Sequence, residues 1–288
     1  MAIRFVSYDQ IDKDKWDKLV LEFADGLPYA YSDYLDQVCS WNALVKGDYE
    51  AIMPLPFSKK YGQKYIHTPF MIQQLGIIST TAEDAEVWMN LIPKEYKLVE
   101  YNSNEIIPFG EEQVNTVLNL NSDYESLNSK FSTNHKRNLK KVSDLTIGQA
   151  EIESVFQLFI SNKGSDLKGF DSVGLERIKQ LIKKTPFDWE VQGAYHEGEL
   201  VCGVLWLRTA GRIIFLFSGN SEKGKSTGAM LFLINDKIKS LSGFKLKMDF
   251  EGSNNVNLDR FYKGFGGEHC VYGKYKRYLF PINLVKIK

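Results

Sequence analysis

Three pairs of landmarks recur at one offset in this sequence, and they constrain the fold more than any other feature. Gly47-Asp48 aligns with Gly198-Glu199, Gly76 with Gly228, and Ser103-Asn104 with Ser253-Asn254, each about 150 residues apart. The texture between the landmarks agrees. In the first half a helix with Trp16, Leu19, Val20 and Phe23 at helical spacing is followed by a short helix opening at Ser32. Next come a hairpin about Gly47-Asp48, the strand "KYIHTPF", a helix at "AEDAEVWMNLI" and the strand "YKLVEYN". In the second half "VQGAYHEGELVCGVLWL" is a hairpin about Gly198 and "RIIFLFSG" a third strand. "TGAMLFLINDKIKSL" is an amphipathic helix, and "FKLKMDF" stands where "YKLVEYN" stood. One unit repeated at this distance predicts two copies of a mixed α/β domain, divided into 1–120 and 121–288.

The 288 residues are enough for two medium cores. Lys+Arg and Asp+Glu both total 36, so no global charge favours DNA or an anionic membrane as partner. Cys39, Cys202 and Cys270 are odd in number and far apart, as are the four histidines, so neither a disulfide framework nor a metal site is expected. The N-terminus has no apolar signal region, and the longest apolar run, "VCGVLWLRTAGRIIFLFSG", is broken by Arg208, Gly211 and Arg212. A cytoplasmic protein without a transmembrane segment is the expectation.

"GNSEKGKS", Gly219–Ser226, spells a nucleotide-binding P-loop between a strand and a helix. Its surroundings argue against a nucleotide hydrolase. The elements upstream form an antiparallel meander, whereas a P-loop follows the first strand of a parallel sheet, and too little chain remains for the further βα units. The chemistry of the stretch survives: glycines admit a ligand to the backbone, and a helix N-terminus offers N–H groups to an anion. A Gly/Ser-rich connection with exposed lysines is the plainer alternative.

Between the halves, Ser122 and Glu125 spell a capping box. His135, Lys136, Arg137, Lys140 and Lys141 make the next helix basic, which reads as a solvated face or as an anion site at the domain junction.

The order meander, glycine-bearing loop, helix, strand, short helix resembles the GNAT N-acyltransferase fold. That family writes its pyrophosphate loop [Q/R]xxGx[G/A]; here Lys225-Ser226-Thr227-Gly228-Ala229-Met230 keeps the glycine, with Lys and Met as departures. Its NxxAxxxYxxxGF motif is echoed by "NNVNLDRFYKGFGGE", with Asn255, Leu258, Phe261-Tyr262 and Gly264-Phe265-Gly266. The doubling, with "FSTNHKRNLKKV" and "DFEGSNNVNLDRFYKGFGG", is similar to the FemAB-like branch, which pairs two GNAT-type domains and includes peptidoglycan aminoacyltransferases and acetyltransferase-like proteins.

The resemblance implies direct attack of an amine on a thioester or ester carbonyl, with acetyl-CoA or another acyl-CoA, or else aminoacyl-tRNA, as donor. A small-molecule or cell-wall-precursor amine is the implied acceptor. Donor phosphates are expected on Lys223, Gly224, Lys225, Ser226, Thr227, Gly228 and Ala229, and the carbonyl beside Phe217-Ser218. Tyr262 matches the family tyrosine that protonates a departing thiolate. Asp249 and Glu251, two apart, share a strand face in the extended reading, so either can serve as base. Lys136, Arg137 and Lys140 are candidates for an anionic group of the acceptor. The first half has "PFMIQQLG" in place of the loop, without a cation. It is expected to shape the acceptor side, with Tyr29, Tyr31, Tyr65, His67 and Phe70 as lining. A double-GNAT protein that binds without catalysing is the alternative of another class.

Overall fold

The computed structural model describes residues 2–163, 170–252 and 254–279. In chain order the first half runs β1 (Ile3–Val6), α1 (Lys13–Phe23), α2 (Ser32–Val38), β2 (Ser40–Lys46), β3 (Ala51–Lys60), β4 (Gln63–Ile66), β5 (Ile78–Ser79), α3 (Ala85–Leu91), β6 (Leu98–Ser103) and β7 (Glu111–Asn119). After α4 (Tyr124–Ser129) and α5 (Thr133–Leu139) come β8 (Leu145–Gln149), α6 (Ile152–Lys163), α7 (Ser172–Lys184), β9 (Asp188–His196), β10 (Glu199–Arg208) and β11 (Arg212–Asn220). The chain closes with α8 (Glu222–Thr227), α9 (Ala229–Leu241), β12 (Lys247–Asp249), α10 (Val256–Lys263) and β13 (Glu268–Tyr278).

The contacts divide the chain into two compact units, one of residues up to Gln113 together with those from Val271 onward, the other Val114–Cys270. In the first unit β2 pairs antiparallel with β1 and β3, β3 with β4, β4 runs parallel to β6 at Ile66↔Val99, and β6 is antiparallel to β13. In the second, β9 pairs antiparallel with β8 and β10, and β10 with β11. There β11 runs parallel to β12, and β12 is antiparallel to β7. The two lists have the same order and the same single parallel pair, so the repeat is structural. Ser253 of the third landmark pair lies outside the described residues.

The units depart from the expected division at 120/121 in one respect. β7 follows the first repeat in sequence, yet Val117–Asn119 pair with β12 in the second unit. β13 follows the second repeat, yet Gly273–Tyr278 pair with β6 in the first. Each repeat thus gives its last strand to the other's sheet, and β-pairing at long range leaves no local signal for this.

Local chemistry explains the elements. Asp12 caps α1 by accepting from the Lys15 N–H, and Trp16, Leu19 and Val20 form its buried stripe while Phe23 stays exposed. The β9–β10 hairpin turns on Glu197 and Gly198, both at positive φ (52° and 82°), as a two-residue turn requires. Two expected caps move. Ser32 is the first residue of α2 and bonds Asp17 through its N–H and hydroxyl, and α4 is capped by Asp123, not Ser122. The second core gathers Trp206, Phe215, Leu233, Ile234, Met248, Phe250 and Phe265 between the sheet and α9. No helix among the described residues is long and apolar enough to cross a membrane.

Candidate active-site cleft

Parallel strands β11 and β12 are paired only from Arg212↔Lys247 to Ile214↔Asp249. Beyond Asp249 the chain turns aside, since the Phe250 N–H donates to the Thr116 carbonyl and Glu251 takes φ +55°. β11 runs on to Asn220 with no strand along that edge among the described residues, and its register to β10 slips by one residue at Leu216. A bulge of this kind leaves a residue outside the ladder and re-aims the side chains after it. A cleft of about 1320 Å³ opens at the split, lined by residues of the second unit from β11, α5, α6, α8, α9 and α10.

α8 and α9 form one wall. Ser221 caps α8 by accepting from the Gly224 N–H, and the Lys225 N–H bonds the Ser221 carbonyl. The P-loop spelling is therefore the end of a strand followed by a short capped helix. Gly224 is required because a Cβ would meet the Val201 carbonyl, and Gly228 because its φ is +75°. Gly228 ends α8 and begins α9, whose N–H groups at Ala229, Met230 and Leu231 have no acceptor among the described residues. A helix N-terminus with open amides is an anion site in the making.

The expected donor residues separate accordingly. Phe217, Ser218, Gly224, Lys225, Ser226, Thr227 and Gly228 line the cleft. Lys223 does not; it is exposed on the outer face of α8. Ala229 is fully buried and its side chain packs inward. Lys225 reaches across to Asn162 of α6 (Nζ–Oδ1 2.9 Å) and to Glu222. The hydroxyls of Ser226 and Thr227 donate to the Lys223 carbonyl.

Asp249 and Glu251 do not share a face. β12 ends at Asp249, and the left-handed backbone at Glu251 breaks the strand alternation on which the reading depended. Asp249 is wholly buried and outside the cleft lining. It pairs with Arg212 (Nη1–Oδ2 2.7 Å) and accepts from Asn115 Nδ2 (2.8 Å) and the Glu251 N–H (3.0 Å). A carboxylate engaged in this way is structural. Glu251 is half-buried and lines the cleft, and burial pushes its carboxyl well above the ordinary carboxylate range.

Tyr262 of α10 lines the same cleft with its ring stacked on Phe250 (centroids 4.6 Å, 16°). Burial, and the negative charge of Glu251 beside it, raise its phenol far above the ordinary value. Its hydroxyl has no partner among the described residues. Asn255 fixes the helix that carries it, accepting from the Asn257 and Leu258 N–H groups as cap.

The basic helix α5 turns a different face inward from the one expected. Lys136 donates to the Ser129 carbonyl and Arg137 to Asn134 Oδ1, Lys140 is exposed, and none of the three lines the cleft. Asn134, His135, Asn138 and Lys141 line it instead. His135 is buried, its Nε2 donates to the Phe261 carbonyl (2.9 Å), and its ring fills the space a Cβ at Gly264 would need. Burial lowers its pKa below the ordinary 6.5. The residues missed in the sequence are thus Asn134 and Asn138 of α5, and Phe159 and Asn162 of α6, which line the cleft one turn apart.

In the first unit the equivalent split is filled by its own chain. Leu75 pairs with Ser103: its N–H donates to the Asn102 carbonyl (2.9 Å) and its carbonyl accepts from the Asn104 N–H (2.7 Å). The Gly76 N–H donates to the Tyr101 hydroxyl, which donates in turn to the Pro54 carbonyl. Of the expected acceptor lining, Tyr29 is core, packed edge-on against Tyr34. Tyr31, Tyr65, His67 and Phe70 are half-buried, with His67 Nε2 bonded to the Ser58 hydroxyl (2.8 Å). No cluster of His, Cys, Asp and Glu able to hold a metal occurs among the described residues.

No family model and no curated protein matches the sequence. Solved structures do match. FemX is similar with a TM-score of 0.67 at 10% identity, over 95% of this chain and 97% of that one. A tandem GNAT protein from the clavulanic acid biosynthesis pathway gives a TM-score of 0.56 at 13% identity, over 97% and 99%. L-PGS from Bacillus licheniformis gives 0.52 at 13% identity, over 95% and 94%. At these identities the likeness is one of fold, and it extends over both units: the chain shares its fold with FemX and with the tandem GNAT protein.

Proposed function

We propose that the cleft of the second unit transfers an acyl group from a phosphate-bearing donor directly to an amine. One observation carries this reading: Met230 and Leu231 at the start of α9, whose N–H groups have no acceptor among the described residues, line the same cleft as Glu251, a carboxyl whose pKa is raised by burial. The amides, aided by Lys225, suit the donor's phosphates. The unpaired edge of β11 about Leu216–Ser218 offers main-chain donors to the carbonyl oxygen as it gains charge.

The amine must lose a proton and the leaving group must gain one. Glu251, whose carboxyl burial raises above the ordinary carboxylate range, suits the first task, since a raised pKa makes a carboxylate a stronger base. Tyr262, with a high pKa and a free hydroxyl in the cleft, suits the second. The C–N bond forms as the thioester or ester bond breaks, and no enzyme side chain is acylated. Because the first unit's split is filled by Leu75 and Gly76, one donor per chain is expected. Acceptor recognition is assigned to the first unit, with Tyr31, Tyr65, His67 and Phe70 as candidates. A small-molecule or cell-wall-precursor amine fits this scheme.

The test is calorimetry with coenzyme A on the intact protein, with Lys225→Ala plus Ser226→Ala as control. Saturable binding of one molecule per chain, weakened in the double variant, supports an acyl-CoA donor. No heat at millimolar ligand rejects it and transfers the proposal to aminoacyl-tRNA, whose 3′-terminal phosphates meet the same amides.

A further inference from the structure

The mechanism above leaves one wall of the cleft without a task. Phe159 of α6, Phe170 before α7 and Phe217 of β11 line it together. Their rings form one stack: Phe170 lies 4.5 Å from Phe159 and 5.7 Å from Phe217, the latter pair inclined by only 20°. Phe156 backs them at 6.4 Å from Phe170 and 5.9 Å from Phe217. Phe156 and Phe217 are buried, while Phe159 and Phe170 keep part of their surface open to the cleft.

The wall is held rigidly. α6 approaches the sheet so closely that a Cβ at Gly203 or Gly219 would strike Val155. One turn beyond Phe159, Asn162 bonds the Asn220 carbonyl and accepts from Lys225. An apolar surface fixed in this way is a ready-made subsite and needs no ordering when a ligand arrives.

Position decides what it takes. Phe217 belongs to the stretch of β11 whose main chain is assigned to the reacting carbonyl, and its side chain belongs to the stack. A carbonyl held there delivers its own substituent to Phe217, Phe170 and Phe159. We infer that the transferred acyl group is apolar and larger than acetyl, an aromatic or medium-chain acyl group that packs on these three rings. This rests on the acyl-transfer reading for the carbonyl's place, while the wall itself stands on its own geometry.

Two measurements separate the inference from that reading. The first is the affinity series acetyl-, hexanoyl- and phenylacetyl-CoA in the intact protein, with Phe170→Ala and Phe159→Ala compared. Each methylene that reaches the wall should tighten binding about fourfold, and both variants should flatten the series. Equal affinity across the series overturns the inference even where coenzyme A binds. The second uses no nucleotide: saturation-transfer NMR with N-acetyl-S-(phenylacetyl)cysteamine, and with phenethylamine for comparison. Transfer to the thioester's ring that is lost in Phe170→Ala supports the inference whatever carries the acyl group. Transfer to the amine alone, or to neither, overturns it. Phe170 is only half-buried, so its variant is expected to fold, and Phe170→Leu should keep most of the signal.

Discussion

Replacing Asp249 by Ala should unfold the second unit rather than disarm it. The carboxylate is fully buried and its partner Arg212 nearly so, with 9% of the arginine side chain exposed. Removing one member of a buried ion pair costs about 3–5 kcal/mol. The Asn115 amide and the Glu251 N–H lose their acceptor as well. With a urea m-value of about 3 kcal/mol/M, the midpoint of the second unit should fall by more than about 1 M. Arg212→Met with Asp249→Leu should recover much of the loss, because an apolar pair of similar volume leaves no buried charge. Fluorescence-monitored urea unfolding of the parent, Asp249→Leu, Arg212→Met and the double variant gives the cycle, with Asp249→Ala measured beside them. The reasoning fails if Asp249→Ala unfolds within about 0.5 kcal/mol of the parent, or if the two single losses simply add. Asp249→Asn assayed well below its unfolding temperature should retain turnover; a selective loss with stability intact would restore Asp249 to the chemistry.

Tyr262→Phe should lower kcat about a hundredfold or more and leave the thermal unfolding temperature nearly unchanged, since the hydroxyl has no partner among the described residues; steady-state kinetics beside a melting curve checks both. For Glu251 the raised pKa means that the folded state keeps a proton the unfolded state has released. Stability conferred by the protonated form is therefore full below the usual 4.5 and is lost as pH rises through the folded pKa. Melts between pH 4 and 8 should show Glu251→Gln gaining on the parent as pH rises, while its activity stays low throughout; parallel curves would contradict the shift. Gly228→Ala meets no close neighbour, so its cost is the left-handed backbone alone, about 1 kcal/mol by denaturation.

The sequence carried the repeat because its signals are local. Gly198 marks a turn that needs positive φ, and Trp16, Leu19 and Val20 mark a helix face. It did not carry the exchange of β7 and β13, which depends on partners far away in the chain. The site was legible where a residue type is unusual for its place, as with Gly228 and Tyr262. It misled where a pattern was extended past its element. Asp249 and Glu251 look like strand neighbours, but β12 has already ended, and one carboxylate serves the fold while the other faces the cleft. On α5 and just after it the cations Lys136, Arg137 and Lys140 drew attention, whereas Asn134 and Asn138, polar side chains that do not stand out in the sequence, line the cleft. Asn162 gave no local signal, because its meaning depends on Lys225 and Asn220 meeting it in space.

Hydrogen–deuterium exchange with and without coenzyme A tests the central claim most directly, because the proposed contacts are main-chain amides. The N–H groups of Met230 and Leu231 have no acceptor among the described residues and should exchange fast in the free protein. The account predicts that ligand slows exchange at these two and along Leu216–Asn220, and leaves residues 72–77 of the first unit unchanged. Protection confined to the first unit, or no protection anywhere at saturating ligand, would contradict it.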